Sequence, residues 1–193
     1  FKGSQFIYGD MIPYGGHHVT KDIAQGLSTP LSAAERLKTL FGNCLSAMST
    51  VRHQIDVTQI GDSGQENVTT IPRKMLTSII EPRVEEIFEI IRDKIRDAGL
   101  ENTVGRRLII TGGASQLGGV EELAKKVFKC QVRLGLPLNI DGLADTTMGG
   151  GFATGAGLLL YATSRPEELH FMDKKKINQG LFESIRNWIK SNF

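Results

Sequence analysis

The hydrophobic and polar positions along the chain alternate between strand-like and helix-like patterns. Strand signals cover residues 4–13, 53–60, 106–111 and 130–137, where apolar residues alternate with polar ones or form short runs. Helical spacing of apolar residues recurs over 17–27, 31–42, 73–80, 84–99, 120–128 and 150–163. The strand–turn–helix–strand order predicts an α/β core.

Single residues within these patterns predict where helices begin or break. Ser32, with Glu35 three residues on, predicts the start of the second helix by a capping box. Pro82 predicts a break between the helical stretches on either side of it. The block from Ser28 to Glu101 has its own strand and helices, so it is predicted to be an inserted subdomain.

The last fourteen residues, 180–193, have one apolar and one polar face at helical spacing. The apolar face consists of Leu181, Phe182, Ile185, Trp188, Ile189 and Phe193. Such a helix docks on its own core, docks on a partner or lies in a membrane surface. The polar, lysine-containing stretch 166–179 reads as a tether. Because each basic group contributes about 1 kcal/mol near an anionic leaflet, the flanks favour the membrane surface.

Composition narrows the function classes. The net charge is +2, which gives little electrostatic support for nucleic-acid binding. Cys44 and Cys130 are isolated and match a reducing compartment. The longest apolar run, near residue 160, is too short to span a bilayer, and no signal peptide is visible. The chain opens on Phe1 and is expected to be the back end of a longer protein.

Two glycine-rich turns precede helices, at Gly15-Gly16 and within residues 112–119. A glycine turn brings bare backbone against a phosphate or a flat base. A purely structural turn is an equal alternative for residues 112–119 and the favoured explanation for Gly15-Gly16 taken alone. Their spacing matches neither a Rossmann fingerprint nor a Walker loop. His17 and His18 predict no metal site, since adjacent helical side chains diverge and no further ligands complete a set.

Glu35 and Lys38 stand three residues apart on a predicted helix. The pair is either a solvated ion pair worth a few tenths of a kcal/mol or a grip on a ribose or base edge. No spacing of Ser, Cys or His indicates a hydrolytic site.

Taken in order, five segments resemble the FtsA family of bacterial cell-division proteins. They are IPYGGHHVTKDIAQGL, AAERLKTLFG, IIEPRVEEIFEIIRDKI, LIITGGASQLGGVEELAKKVF and GLFESIRNWIKSNF. The resemblance implies an α/β actin/Hsp70-like ATPase fold, of which this chain holds only the second-half subdomains 2A and 2B plus a C-terminal amphipathic helix. The implied divisions are 2A over 1–27 and 105–165, 2B over 28–104, a tether over 166–179 and a membrane-targeting helix over 180–193.

The resemblance also implies a site for ATP with magnesium. It assigns cofactor contacts to Gly15, Gly16, Glu35, Lys38, Gly112, Gly113, Ala114 and Ser115. Because the family's phosphate loops are missing from this sequence, only the adenosine side is expected here. The chain is therefore expected to bind ATP poorly and not to hydrolyse it, and the complete protein to be at most a slow ATPase. Unpaired strands at the boundary imply marginal stability or aggregation.

The implied partners are the C-terminal tail of FtsZ, other copies of the protein in actin-like filaments, and an anionic membrane surface. Arg83 is the candidate contact for the FtsZ tail; the alternative is an ion pair with Glu86 three residues on. The implied location is the cytoplasmic face of the cell membrane at the division site. Alternatives are a pilus-assembly binding protein or a small-molecule kinase of the same superfamily, and a soluble adaptor whose last helix docks on protein.

Overall fold

The computed structural model describes residues 5–46, 53–61, 66–101, 107–137 and 149–164. Nine helices and strands lie within these ranges: α1 Gly16–Gly26, α2 Leu31–Phe41, β1 Gln54–Ile60, β2 Glu66–Pro72, α3 Arg73–Asp97, β3 Arg107–Ile110, α4 Val120–Phe128, β4 Gln131–Leu134 and α5 Ala153–Thr163. Short 3₁₀ turns at Gly113–Gln116 and Gly150–Phe152 precede α4 and α5.

The strands form two separate pairs. β1 and β2 are antiparallel, with Ile55 opposite Ile71, whereas β3 and β4 are parallel, with Leu108 opposite Val132. Helix α4 connects the parallel pair, as a crossover connection requires. The predicted α/β alternation is thus confirmed for the described residues, and β2 is an additional strand that the sequence pattern did not reveal.

Within the described residues, one hydrophobic cluster joins helices α1, α2, α3 and α4. Ile23 of α1, Ile80 of α3 and Leu123 of α4 are fully buried within it, and the rings of Phe88 and Phe128 meet edge to face at 5.7 Å. The cluster crosses the predicted boundary between residues 27 and 28. The division into subdomains 2A and 2B therefore remains a prediction.

Helix α3 runs continuously through Pro82, so the predicted break there is wrong. Its buried positions, Leu76, Ile80, Val84 and Phe88, continue in one stripe on both sides of the proline. A proline inside a helix costs about 3 kcal/mol relative to alanine. Packing of this stripe against α1 and α4 outweighs that cost.

Two local predictions near the start of the chain are also wrong. Helix α2 begins at Leu31, so its N-cap residue is Pro30, which has no side-chain acceptor, and Ser32 lies inside the helix. The Glu35 carboxylate is bonded to Thr20 and Lys38. Residues 5–13 form no strand. Asp10 instead accepts hydrogen bonds from Tyr8 and, at 2.6 Å, from Lys94 of α3. Of residues 5–13, Gln5 alone takes part in a β-bridge, and the ion pair of Asp10 with Lys94 joins the segment to α3.

The region of β3, β4 and α5 is less buried than its sequence suggested. Ile109 of β3 is 53% exposed, and Leu158 and Leu159 of α5 are 63% and 61% exposed. The strand predictions are confirmed, and β3 is exposed at Ile109 because only β4 pairs with it in the described structure. None of the helices described here has the length and apolar content to cross a bilayer.

Candidate functional site

The two glycine-rich turns face each other across a narrow gap. A Cβ atom on Gly16, the first residue of α1, would lie 3.2 Å from the Cβ of Ala114. A side chain at Gly16 would therefore require Ala114 to shift by a few tenths of an ångström. The closeness of the two backbones explains why glycine stands at this helix start.

Between the turns and α2 lies a cavity of about 470 Å³. Its lining includes five residues that the resemblance assigned to a cofactor: Gly16, Glu35, Lys38, Gly113 and Ala114. The other lining residues are His17, Thr39, Gly42, Gln116 and Leu117. A volume of this size is within the range of small-molecule sites.

The remaining three predicted residues shape the turns instead of lining the cavity. Gly112 has φ of 98°, which favours glycine. The buried Ser115 hydroxyl donates to the Gly112 carbonyl at 2.7 Å, inside the turn. The Gly15 amide donates to His18 Nδ1 at 3.2 Å. A Cβ at Gly113 would point into open space, as it would at Gly15 and Gly112, and Gly113 is the one of the three that lines the cavity.

A polar cluster joins α1 to α2 at the edge of the cavity. Lys38 Nζ lies 2.7 Å from Glu35 Oε2, 2.8 Å from Thr20 Oγ1 and 3.2 Å from the Gly16 carbonyl oxygen. The Thr20 hydroxyl also lies within hydrogen-bond distance of Glu35 Oε2. The Lys38 side chain is largely buried, at 12% exposure, whereas that of Glu35 is 50% exposed.

The hydrogen bond from Lys38, followed by that from Thr20, lowers the pKa of the Glu35 carboxyl. Glu35 is therefore a carboxylate near neutral pH. A carboxylate only accepts hydrogen bonds, so the half-exposed oxygens suit a ligand that donates them.

The end of α2 is tied to the opposite turn below the cavity. The Cys44 amide donates to the Gly118 carbonyl at 2.7 Å, and Asn43 and Gly118 form a parallel bridge. The Asn43 side chain in turn accepts a hydrogen bond from the Leu45 amide at 2.7 Å. This hydrogen bond and the bridge thus join the two walls of the cavity at one end.

A larger cavity of about 770 Å³ lies between α2 and the β1–β2 hairpin. Arg36, Leu40, Asp56 and Val68 are among its lining residues. None of the predicted cofactor residues lines it, so the smaller cavity is the candidate site.

Arg83 lies on α3 in an ion-pair cluster that joins it to α1. Its guanidinium donates to both oxygens of Asp22, with one distance of 3.2 Å, and to Glu86 at 2.5 Å. The hydrogen bond with Asp22 raises the pKa of Arg83. The i,i+3 pair with Glu86 considered from the sequence is present, and the contact with Asp22 is additional.

The described residues contain no group of three or more His, Cys, Asp or Glu side chains that could hold a metal ion. Within the cavity Glu35 is the one carboxylate in the lining, and Lys38 neutralises it. These residues do not fit a magnesium ion. The predicted tether and terminal helix, 166–193, with Leu181, Phe182, Ile185, Trp188, Ile189 and Phe193, lie outside the described residues.

Two solved structures resemble the chain in fold. They are crystal structures of MreB 5 of Spiroplasma citri, one bound to AMPPNP and one to ADP, with TM-scores of 0.56 and 0.57. Each similarity covers 88% of this chain and 47% or 48% of the other, at 14% and 15% sequence identity. The fold is therefore of the α/β, actin-like ATPase type, as predicted.

Sequence relatives are closer. The chain is 36% identical to a protein named "Cell division protein FtsA" from Rhizobium meliloti (strain 1021), over all of this chain and 45% of that protein. It is 31% identical to the protein of the same name from Escherichia coli (strain K12), over 98% of this chain and 45% of that protein. The chain thus spans about half the length of these relatives. Since the family model described as "Cell division protein FtsA" also matches residues 1–157, the chain belongs to the FtsA family.

Proposed function

We propose that this chain supplies the adenosine side of a nucleotide site in an FtsA-type cell-division protein. The observation that carries the proposal is the cavity in which Gly16, Glu35, Lys38, Gly113 and Ala114 meet. Residues 98 positions apart, Gly16 and Ala114, contribute to one pocket with both backbone and carboxylate surfaces. The nucleotide-bound state of the two fold relatives is consistent with such a use.

The lining suits a nucleoside better than a phosphate chain. The open backbone at Gly113 gives a flat surface on which a base can lie, and Glu35 offers acceptor oxygens to ribose hydroxyls. Lys38 is the cation of the lining that is already paired with Glu35. We therefore expect ATP to bind this chain weakly, with its phosphates contributing little, and we expect no hydrolysis.

Titration with adenosine and with ATP, followed by amide NMR, tests this function. Both ligands should shift the signals of Gly16, Gly113 and Ala114 with affinities within about threefold of each other, because no phosphate loop is recognisable in the sequence. Glu35→Gln should weaken both, whereas Glu122→Gln on the exposed face of α4 should not. Absence of shifts with the unmodified chain, or tight ATP-specific binding, would contradict the proposal.

We assign the elements to subdomains on the same basis. Subdomain 2A comprises residues 1–27 and 105–165, and the inserted subdomain 2B comprises 28–104. In this arrangement α1 and the turn at 113–116 supply one part of the cavity, and Glu35 and Lys38 of α2 supply the other. In the complete protein, nucleotide would then be held between elements of both subdomains and would tune assembly into actin-like filaments.

The proposed protein partner is the C-terminal tail of FtsZ. Arg83 is partly exposed, and its contact with Glu86 lies on the solvent side of α3. An acidic tail would replace Glu86 as the partner of Arg83 while Asp22 remains bound. Arg83→Ala should weaken binding of an FtsZ tail peptide in fluorescence anisotropy, and Arg92→Ala, which removes another α3 arginine paired with acidic neighbours, is the matched control. Equal affinity of the two variants would refute this assignment.

The proposed membrane contact is the terminal amphipathic segment, residues 180–193, at the cytoplasmic face of the cell membrane. Its sequence supports the proposal through Trp188 and its apolar neighbours behind the lysines at 174–176. Co-sedimentation with anionic vesicles should be lost in Trp188→Glu, retained in Trp188→Phe and weakened by salt. Identical behaviour of the original chain and Trp188→Glu would favour docking of this segment on protein.

A further inference from the structure

Thr20 of α1 lies next to the candidate site without lining its cavity. The residue is 1% exposed, and its hydroxyl oxygen is 3.1 Å from the Gly16 carbonyl oxygen and 2.8 Å from Lys38 Nζ. The same hydroxyl reaches Glu35 Oε2 on α2. Thr20 thus connects α1 directly to two charged side chains of α2, Glu35 and Lys38.

The number of available protons decides which group donates each hydrogen bond. An ammonium has three N–H bonds, and Lys38 has three acceptors: Glu35 Oε2, Thr20 Oγ1 and the Gly16 carbonyl. The Lys38 donors are thereby used within the protein. The single Thr20 proton then goes to Glu35, because a carboxylate is the stronger acceptor and Lys38 already serves the Gly16 carbonyl.

Both hydrogen bonds to the Glu35 carboxylate end on the same oxygen, Oε2. In the described part of the chain Oε1 has no hydrogen-bond partner, and the Glu35 side chain is half exposed at the cavity. The carboxylate is thus anchored by one oxygen and presents the other.

We propose that Thr20 is a positioning residue, which with Lys38 anchors Glu35 Oε2 so that Oε1 accepts a hydrogen bond from a ligand hydroxyl. In the proposed function, on which the identity of the ligand rests, that hydroxyl belongs to the ribose. Lys38 lines the cavity, but its three N–H donors are used within the protein, so it acts as a support for Glu35. The two charged residues of the pair therefore have different tasks, although the sequence places them alike.

The chain provides a close control for Thr20. Thr77 of α3 is also buried, at 0% exposure, and its hydroxyl also lies near the carbonyl four residues earlier, that of Arg73 at 3.4 Å. Thr77 has no contact with Glu35 or Lys38. Thr20→Val and Thr77→Val therefore make the same chemical change in similar helical settings, and only the first removes the anchor of Glu35.

The first measurement follows the titration of the Glu35 carboxyl by ¹³C NMR, over the pH range in which the chain stays folded. Thr20→Val should raise the pKa of Glu35, because a donor to the charged form is lost, and Thr20→Ser should restore it. Thr77→Val should leave it unchanged. An unchanged Glu35 titration in Thr20→Val would overturn the positioning role. In the original chain, rapid solvent exchange of the Thr20 hydroxyl proton would overturn it too, whether or not the valine variant folds.

The second measurement compares adenosine with 2′,3′-dideoxyadenosine as the probes. The original chain should bind adenosine about tenfold more tightly, since the dideoxy compound lacks the hydroxyls that Glu35 accepts from. Thr20→Val should lose most of this preference, whereas Thr77→Val should keep it. Equal binding of the two nucleosides to the original chain overturns the inference about Oε1. Failure of both nucleosides to bind overturns the proposed nucleotide function, and the Glu35 titration still decides the role of Thr20.

Discussion

Helices α3 and α5 show how differently two apolar stretches of one chain are used. Helix α3 contains a proline and many charged residues, yet Ile80 and Leu76 within it are fully buried. Helix α5 has no charged residue at all, yet Ala156 is its one buried residue, and Leu158 and Leu159 are mostly exposed. Apolar composition thus predicts the helix, while burial depends on which surfaces pack against it. In the described structure α1 and α4 cover α3, and nothing covers most of α5.

The strongest test of this difference compares two large-to-small substitutions. Ile80→Ala should lower the free energy of unfolding by about 2 to 5 kcal/mol, because it leaves a cavity in the core. Leu159→Ala should change it by less than about 0.5 kcal/mol, since the removed atoms already face solvent. Urea unfolding followed by circular dichroism measures both. A comparable loss in Leu159→Ala would show that α5 is covered in solution and would remove the contrast.

Pro82→Ala tests how strongly packing holds α3 together. Because Pro82 is exposed and lies inside the helix, alanine should increase the free energy of unfolding by about 2 kcal/mol. This value combines the helix preference for alanine, about 3 kcal/mol, with about 1 kcal/mol lost through a more flexible unfolded chain. Thermal unfolding of the two proteins provides the measurement. A destabilised alanine variant would mean that the proline itself sets the course of α3.

The ion pair between Asp22 and Arg83 adds a smaller contribution on the outer side of α3. Both side chains are about a quarter exposed, so Asp22→Asn should cost about 1 kcal/mol or less. The difference between the two proteins should shrink as salt is added. Urea unfolding at low and high ionic strength tests this, with Asp97→Asn near the exposed end of α3 as a control. A salt-independent loss would mean that packing of Asp22 matters more than its charge.

The two cysteines allow a chemical comparison of a buried position with a half-buried one. Burial, with a smaller contribution from Glu81, raises the pKa of the Cys44 thiol to about 12. Because the thiolate is the reactive form, Cys44 should resist a thiol reagent at pH 8 in the folded chain, while the half-buried Cys130 reacts first. Mass spectrometry of the alkylated protein distinguishes the two sites. Early modification of Cys44 would show that the core beside α3 opens readily.

Much of the local structure was predictable from the sequence. The periodic patterns gave β1, β3 and β4 and every long helix, because each repeats over several turns or residues. Proline misled the prediction at Pro82, since the buried stripe that overrides it depends on α1 and α4. Exposure of α5 was not predictable, because it depends on which surfaces are adjacent. Residues 5–13 were misassigned for a related reason: strand pairing requires a partner that the pattern does not specify.

The candidate site was predictable in its parts more than in its arrangement. The family resemblance assigned Gly16, Glu35 and Ala114 to the site, and all three line one cavity. Thr20 carries no motif, and it meets Glu35, fifteen positions further along the chain, only because α1 and α2 pack together. Ser115 belongs to a motif, but its hydroxyl lies inside the turn. The distinction between residues that contact a ligand and residues that orient them is a tertiary property.

The hydrogen bond between the Cys44 amide and the Gly118 carbonyl has a mechanical consequence. It fixes the width of the cavity at one end, so the walls cannot close on a ligand there without lengthening that bond. Any movement caused by a ligand would then shift α1, α2 and the 113–116 turn together. The Ile60 amide donates to the Ser28 carbonyl at 2.8 Å, so the end of β1 would move with the connection between α1 and α2.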